Sequence, residues 1–388
     1  MRARTSAKAA RFTESVIREM SRVCAAHGGV NLAQGFPDFP APAAMKEAAK
    51  RAIDADVNQY AVTWGAPNLR RAIAERTTAA NRIETDPDRH VTVCCGATES
   101  MIAALLAVLD PGDEVVIFEP FYENYGPDCI LSGAVPRFVR LEAPDWEIDD
   151  DALAAAFGPR TRAVVVNTPH NPTGKVFTRA ELERIAALCI EHDALAITDE
   201  IYDTILYDGA EHVSIGSLPG MAERTITING LSKTWSATGW RIGWCVASAE
   251  ITSAIRKVHD FLTVGAPAPL QEAAAEALRF GPEYFERLRA DYAERRRLLV
   301  DALEETGFGV SLPRGSYYVM TDISGLTEKD DVAFAMELVA DGGVATVPGS
   351  SFFEDPAAGA RIVRFCFAKR LETLERARRV LLERLGGR

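Results

Sequence analysis

Short apolar runs alternate with amphipathic stretches through the middle of the chain. Runs rich in β-branched residues at 91–94, 115–118, 163–166, 195–198, 225–228 and 242–246 are bounded by polar or turn-forming residues, which predicts strands. Between them, apolar positions recurring with a period near 3.6 predict helices at about 98–109, 179–192 and 251–262. The second of these carries its own start signal, because Thr178 is followed three positions on by Glu181, the pattern of a capping box. Its Leu182, Ile185, Ala186, Cys189 and Ile190 form one apolar stripe. The acidic run at 149–151 reads as another helix start. Strands and helices in alternation predict an α/β fold: a large domain with a mostly parallel central sheet flanked by helices.

From about residue 281 the pattern changes. A long charged helix over 282–306 leads into strands at 317–321, 344–347 and 362–367, and a helix over 371–385 closes the chain. This predicts a smaller α+β domain. The expected division is a large domain over 38–280 and a small domain built from 1–37 with 281–388. The basic triplet Arg295-Arg-Arg297 reads as a solvated face of the long helix.

A chain of 388 residues is longer than one ordinary core, which agrees with that division. Its formal charge of −12 argues against nucleic acid or an anionic membrane as the main partner. The apolar run over 101–109 is too short to span a bilayer. Arg2, Arg4, Lys8 and Arg11 precede any acidic residue, and with no apolar segment behind them they read as an exposed basic arm. Seven cysteines without metal-ligand spacing predict buried thiols in a reducing compartment, hence a cytoplasmic protein. His27, His90, His192, His212 and His259 show no metal-ligand spacing either, and His170 reads as a loop histidine. No GxGxxG follows a strand and no GxxxxGK[ST] occurs, so dinucleotide and P-loop chemistry lack support.

Several predicted strands end in polar residues. The 163–166 run enters Asn167-Thr-Pro-His-Asn-Pro-Thr-Gly174, the 195–198 run enters Asp199-Glu-Ile-Tyr202, and the 225–228 run leads to Lys233 and then Arg241. In an open α/β sheet, ligands bind beyond the carboxyl ends of the strands, so Asn171, Asp199, Tyr202, Lys233 and Arg241 can share one crevice. A reactive lysine, a carboxylate and a phosphate-binding arginine suit pyridoxal 5'-phosphate. Asp199 is the candidate partner of the protonated ring nitrogen. Tyr202 and Asn171 can donate to its phenolic oxygen, and Tyr122 offers a flat face. Val91-Thr-Val-Cys-Cys-Gly-Ala-Thr98 reads as strand, tight turn and helix start, where Gly96, Ala97 and Thr98 would cradle the phosphate beside Arg241.

Longer motifs carry a resemblance. With Asn31-Leu-Ala-Gln-Gly-Phe-Pro-Asp-Phe-Pro40, Gln59-Tyr-Ala-Val-Thr-Trp-Gly65, Asn167-Thr-Pro-His-Asn-Pro-Thr-Gly-Lys-Val-Phe177, Thr198-Asp-Glu-Ile-Tyr202 and Ser232-Lys-Thr-Trp-Ser-Ala-Thr-Gly-Trp-Arg241, nearly the whole chain resembles the fold-type I pyridoxal-phosphate aminotransferases of class I/II. It looks most like their kynurenine aminotransferase, glutamine transaminase and methionine aminotransferase branch. The resemblance implies transfer of the α-amino group of an L-amino acid to a 2-oxo acid by a ping-pong mechanism. A cysteine-S-conjugate β-lyase or an aspartate-type aminotransferase would use the same scaffold.

By that likeness Lys233 forms the Schiff base and shuttles a proton, and Arg364 grips the substrate carboxylate with Asn171 and the backbone of Gly35. It also implies a homodimer with shared sites, in which Tyr60 reaches the partner's phosphate. Three departures stand out. Many relatives have a serine where this chain has Gly230, Cys95-Gly-Ala97 replaces paired glycines, and Tyr122 stands where others carry Phe or Trp. The segment 263–269 bears no charge, and no second arginine for a side-chain carboxylate is evident, which disfavours strict aspartate specificity.

Overall fold

A computed structural model describes residues 4–386. Eight strands form the main sheet: β1 (Val91–Cys94), β2 (Glu114–Glu119), β3 (Val135–Glu142), β4 (Glu147–Ile148), β5 (Thr161–Asn167), β6 (Leu195–Asp199), β7 (Thr225–Gly230) and β8 (Gly243–Val246). Their spatial order is β1-β8-β7-β6-β5-β2-β3-β4. The pairs from β3 through β2, β5 and β6 to β7 are parallel, and antiparallel pairs close both ends.

Both faces of this sheet are covered. Val115, Ile117, Ala163, Val165 and Ile197 belong to one core with Met101 and Leu105 of the Ala97–Val108 helix. Their alternates Val116, Phe118, Val164, Val166 and Ala196 belong to another core with Leu182 and Ile185 of the Arg179–Glu191 helix. A strand buried on both faces needs apolar residues at every position, which is why these runs are continuous rather than alternating.

A second, four-stranded antiparallel sheet contains β9 (Gly309–Ser311), β10 (Tyr318–Asp322), β11 (Val347–Pro348) and β12 (Ile362–Cys366), in the order β9-β10-β12-β11. The N-terminal stretch Val30–Asn31 runs parallel to Val344–Ala345, joining the two chain ends. This pairing supports our proposed division into 38–280 and 1–37 with 281–388.

The expected strands and helices occur with ends shifted by at most two residues, the 344–347 strand apart. Three expectations need correction. The 344–347 strand is two short strands, split at Thr346. β3 and β4 were not anticipated, because Pro136, Arg137, Arg140 and Glu142 give β3 the polar pattern of a strand near a sheet margin. Arg295 and Arg296 are half-buried and bonded, not solvated: Arg295 donates to the Lys369 carbonyl at 2.8 Å, and Arg296 pairs with Asp208 at 2.6 Å. All seven cysteines are free, and all but Cys95 are buried. Residues 4–11 are exposed, with the Lys8 amine on the Leu131 carbonyl at 2.8 Å; Arg2 lies outside the described residues. Among the described residues no helix is long and apolar enough to cross a membrane.

The Thr178 capping box is complete. Its hydroxyl accepts from the Glu181 N–H at 3.2 Å, and the Glu181 carboxylate accepts from the Thr178 N–H at 2.8 Å. Thr178→Ala should therefore cost about 1 kcal/mol, roughly 1–2 °C in thermal midpoint, while Thr178→Ser should stay near wild type by calorimetry.

Candidate active site

Parallel pairing brings the carboxyl ends of β5, β6 and β7 to one edge, where Asn167 lies opposite Asp199 and Asp199 opposite Ile228. A cavity of about 430 Å³ opens there. Of the residues named from sequence, Gly35, Ala97, Thr98, Tyr122, Asn171, Asp199, Tyr202, Lys233 and Arg241 line it. Three do not. Gly96 forms the turn beneath Ala97, Arg364 is completely buried behind the wall, and Tyr60 stands 86% exposed on the surface.

Lys233 donates to the Gly35 carbonyl at 3.2 Å, with its amine 5.8 Å from the Tyr202 ring centre and 5.6 Å from that of Tyr317. Loss of hydration pushes its pKa down to about 8; the nearby Arg364 and Arg241 act in the same sense, and Asp199 opposes them. Asp199 is buried, and burial raises its proton affinity even though both oxygens accept hydrogen bonds, one from the Tyr125 hydroxyl at 2.8 Å and one from the Ile201 N–H at 3.2 Å. Burial also raises the pKa of Tyr202, which stays a phenol and donates to the Tyr318 hydroxyl at 3.2 Å.

Another part of the cavity is suited to an anion. The Ala97–Val108 helix starts there, and the unpaired N–H groups of its first turn point outward along the positive end of its dipole. Arg241, held in a left-handed conformation (φ 54°), donates to the Thr238 carbonyl at 2.9 Å and the Cys95 carbonyl at 3.3 Å. Gly96 has φ +84°, and a Cβ there would come within 2.4 Å of the Arg241 guanidinium, so the turn requires glycine. Gly230 is explained similarly. A Cβ at that position would lie 2.8 Å from the Ile242 carbonyl, leaving no room for the serine many relatives carry, while Ser232 and Thr238 line the cavity instead.

Arg364 donates to Asn171 Oδ1 and to the Ala33 carbonyl, both at 2.8 Å, and its Nε has no partner among the described residues. Tyr318 lines the cavity with its ring 4.2 Å from that guanidinium. His170 is buried away from the cavity against Thr173 at 2.8 Å, and burial pushes its pKa down to about 3, so the loop reading holds.

Among the cavity residues that sequence reasoning missed, four have polar groups facing the site. Tyr125 hides behind Gly126-Pro127, which reads as a turn but lies in the first turn of the Tyr125–Ser132 helix, where proline costs no bond. Asn167 looked like a strand end, yet it accepts from the Asn171 N–H at 2.7 Å and donates to the Asp199 carbonyl at 2.8 Å. Tyr318 reads as an ordinary strand aromatic. Asp128 has an unpartnered Oδ2 among the described residues, and burial pushes its pKa up to about 7. No pattern in the sequence separates these four from structural residues.

The set fits pyridoxal phosphate. It combines a partly neutral amine, a buried carboxylate with raised proton affinity, phenol and amide groups, and an anion seat closed by Arg241. Because the amine is charged below its folded pKa and neutral above it, labelling of Lys233 by an amine-reactive reagent in the cofactor-free protein should rise through about pH 8. Mass spectrometry would read this out, and a midpoint near 10.5, the ordinary lysine value, would contradict it.

Known proteins share this arrangement. Residues 27–381 match the family described as aminotransferase class I and II. The chain is 37% identical to methionine aminotransferase of Escherichia coli, over 93% of each chain. It is 37% identical to kynurenine–oxoglutarate transaminase 1 of Homo sapiens, over 92% of each. The solved structure of N-succinyldiaminopimelate aminotransferase from Mycobacterium tuberculosis superposes with a TM-score of 0.94 at 39% identity, covering 97% of this chain and 99% of that one. Family members use pyridoxal 5'-phosphate. The protein is therefore an aminotransferase and belongs to the class I and II family.

Proposed function

We propose that the enzyme moves the α-amino group of an L-amino acid of the glutamine, methionine, aromatic or kynurenine type to a 2-oxo acid, in two half-reactions that share Lys233. The observation that carries this reading is one partly buried amine, Lys233, in the same cavity as the Asp199 carboxylate and the Ala97–Arg241 anion seat. The methionine and kynurenine specificities of two relatives support the substrate range. The N-succinyldiaminopimelate enzyme marks a third substrate class that belongs in any panel.

When bound, pyridoxal phosphate supplies a protonated ring that accepts the electron pair released as the α-proton leaves. The residues do the rest. Lys233 presents a neutral amine to the aldehyde carbon and then carries the α-proton, which its lowered pKa permits near neutral pH. Asp199, with its proton affinity raised by burial, holds the ring-nitrogen proton, and Tyr125 and the Ile201 N–H keep its carboxylate in place. Tyr202 and Asn171 donate toward the phenolic oxygen. Tyr122 would lie against the ring, and Ala97, Thr98 and Arg241 would bind the phosphate over the Gly96 turn. Arg364 would take the substrate α-carboxylate beside the Tyr318 ring, with Asn171 already bonded to the guanidinium.

We further propose a homodimer with shared sites. Tyr60, Val62 and Trp64 form an exposed apolar surface with Phe261 (93% exposed), Leu262 and Val264. The two segments are tied by a 2.9 Å bond from His259 to the Thr63 carbonyl. A second copy covering this surface would bring Tyr60 to its neighbour's phosphate seat. Seven free thiols support a reducing, cytoplasmic setting.

Two variants test these roles. Lys233→Ala should lose the absorbance of bound cofactor and at least roughly a thousandfold in rate, since covalent and proton-transfer roles vanish together; transamination retained in that variant would sink the assignment. Arg364→Ala should raise the KM for carboxylate substrates roughly 10–100-fold with a smaller change in kcat. An unchanged KM would remove Arg364 from substrate binding. Mixing the purified protein with glutamine, methionine, aromatic amino acids, kynurenine, N-succinyldiaminopimelate and aspartate, and following the cofactor spectrum, would identify the donor.

A further inference from the structure

Immediately after Ala97 and Thr98, the first turn of the same helix carries a buried carboxylate, Glu99. Its role in shaping the seat is direct, because Oε2 accepts the N–H of Cys95 at 2.5 Å, on the residue whose carbonyl also receives Arg241. Its cost is equally direct. An anionic side chain one residue from a phosphate seat repels the phosphate, and with little water between them that repulsion is poorly screened.

His259 of the Ala249–Thr263 helix lies against that carboxylate. Its Nδ1 is 2.6 Å from Glu99 Oε1 and its Nε2 is 2.9 Å from the Thr63 carbonyl. A backbone carbonyl can only accept, so Nε2 carries a proton, and an ionised Glu99 requires one on Nδ1 as well. The Thr263 hydroxyl adds a third bond to Glu99 at 3.3 Å. Burial, the largest single influence on His259, opposes its charge, but its contacts with Cys94 and Glu99 raise its pKa above the ordinary histidine value. Cys94 is held as a neutral thiol by its contact with Cys245 and by burial, so Glu99 is the partner that sustains the charge. Cys94, Glu99 and His259 approach one another within 4.8 Å, but both ring nitrogens and both carboxylate oxygens already have hydrogen-bond partners, which argues against a cation there.

We propose that His259 is a positioning residue for cofactor binding: as an imidazolium it neutralises Glu99, so that Glu99 can hold the Cys95–Gly96 turn without repelling the phosphate. This extends the phosphate seat of the proposed function and rests on it.

The test compares binding of pyridoxal phosphate with binding of pyridoxal, which lacks the phosphate, to the full-length cofactor-free protein at pH 8, read by absorbance titration. Wild type should prefer pyridoxal phosphate strongly. His259→Gln should weaken pyridoxal phosphate roughly tenfold or more while leaving pyridoxal within about twofold. Adding Glu99→Gln should recover most of that loss, because the unpaired charge is then gone.

Equal weakening of both ligands, or a double variant no better than His259→Gln, would overturn the proposal. Wild-type protein that binds both ligands alike would instead remove the phosphate seat itself. Should His259→Gln fail to fold, the wild-type chain still decides. Nitrogen NMR of histidine-labelled protein should show a buried imidazolium persisting at pH 8.5, and a neutral ring there would overturn the proposal.

Discussion

Ionised and ionisable groups held out of water set the terms for the rest of this molecule. Lys233, Asp199, Arg364, Glu99 and His259 are all buried or partly buried around one sheet edge, and the protein must keep each in its working protonation state. Burial disfavours charge on any of them, and neighbours decide how far. Among the described residues Lys233 has no carboxylate within bonding distance and drifts toward neutrality, which suits the reacting amine proposed for it. Asp199 keeps two donors and Arg364 keeps two acceptors.

The fold makes this concentration possible. Parallel strands covered on both faces deliver their carboxyl ends to one edge, so Asn167, Asp199 and the approach to Lys233 arrive from successive strands. The antiparallel turn from β7 to β8 then returns Arg241 beside the start of the Ala97–Val108 helix. The small sheet contributes Tyr318 and Arg364 from adjacent strands, with Met320 opposite Arg364 in register. Gly35, from the segment before residue 38, supplies the carbonyl that holds both Lys233 and Tyr317. The site is thus assembled from parts of the chain that are individually unremarkable in composition.

Much of the fold was legible because its signals are local. Runs rich in β-branched residues marked β1, β2, β5, β6 and β7, and the Thr178–Glu181 box marked a helix start to the residue. β3 was not legible because its outward charges cancel the strand signal, and the Tyr125–Ser132 helix was hidden by a proline that its first turn accommodates. Lys233, Asp199, Tyr202, Asn171 and Arg241 were legible because each sits in a motif at a strand end. Tyr125, Asp128 and Tyr318 were not, because what distinguishes them is the neighbour they face. His259 shows the same limit: a histidine without ligand spacing carries no sign of a carboxylate 160 positions away.

The sequence by itself determined the α/β class, the lysine, carboxylate and arginine set that shares one cavity, and the likeness to class I and II aminotransferases. All three are written in contiguous motifs and short-range periodicity. Only the tertiary structure decided that Gly230 has no room for a serine, that Tyr318 covers Arg364, and that Glu99 meets His259. Those facts depend on packing between residues far apart in the chain, where a few tenths of an ångström and the loss of water settle what a side chain can do.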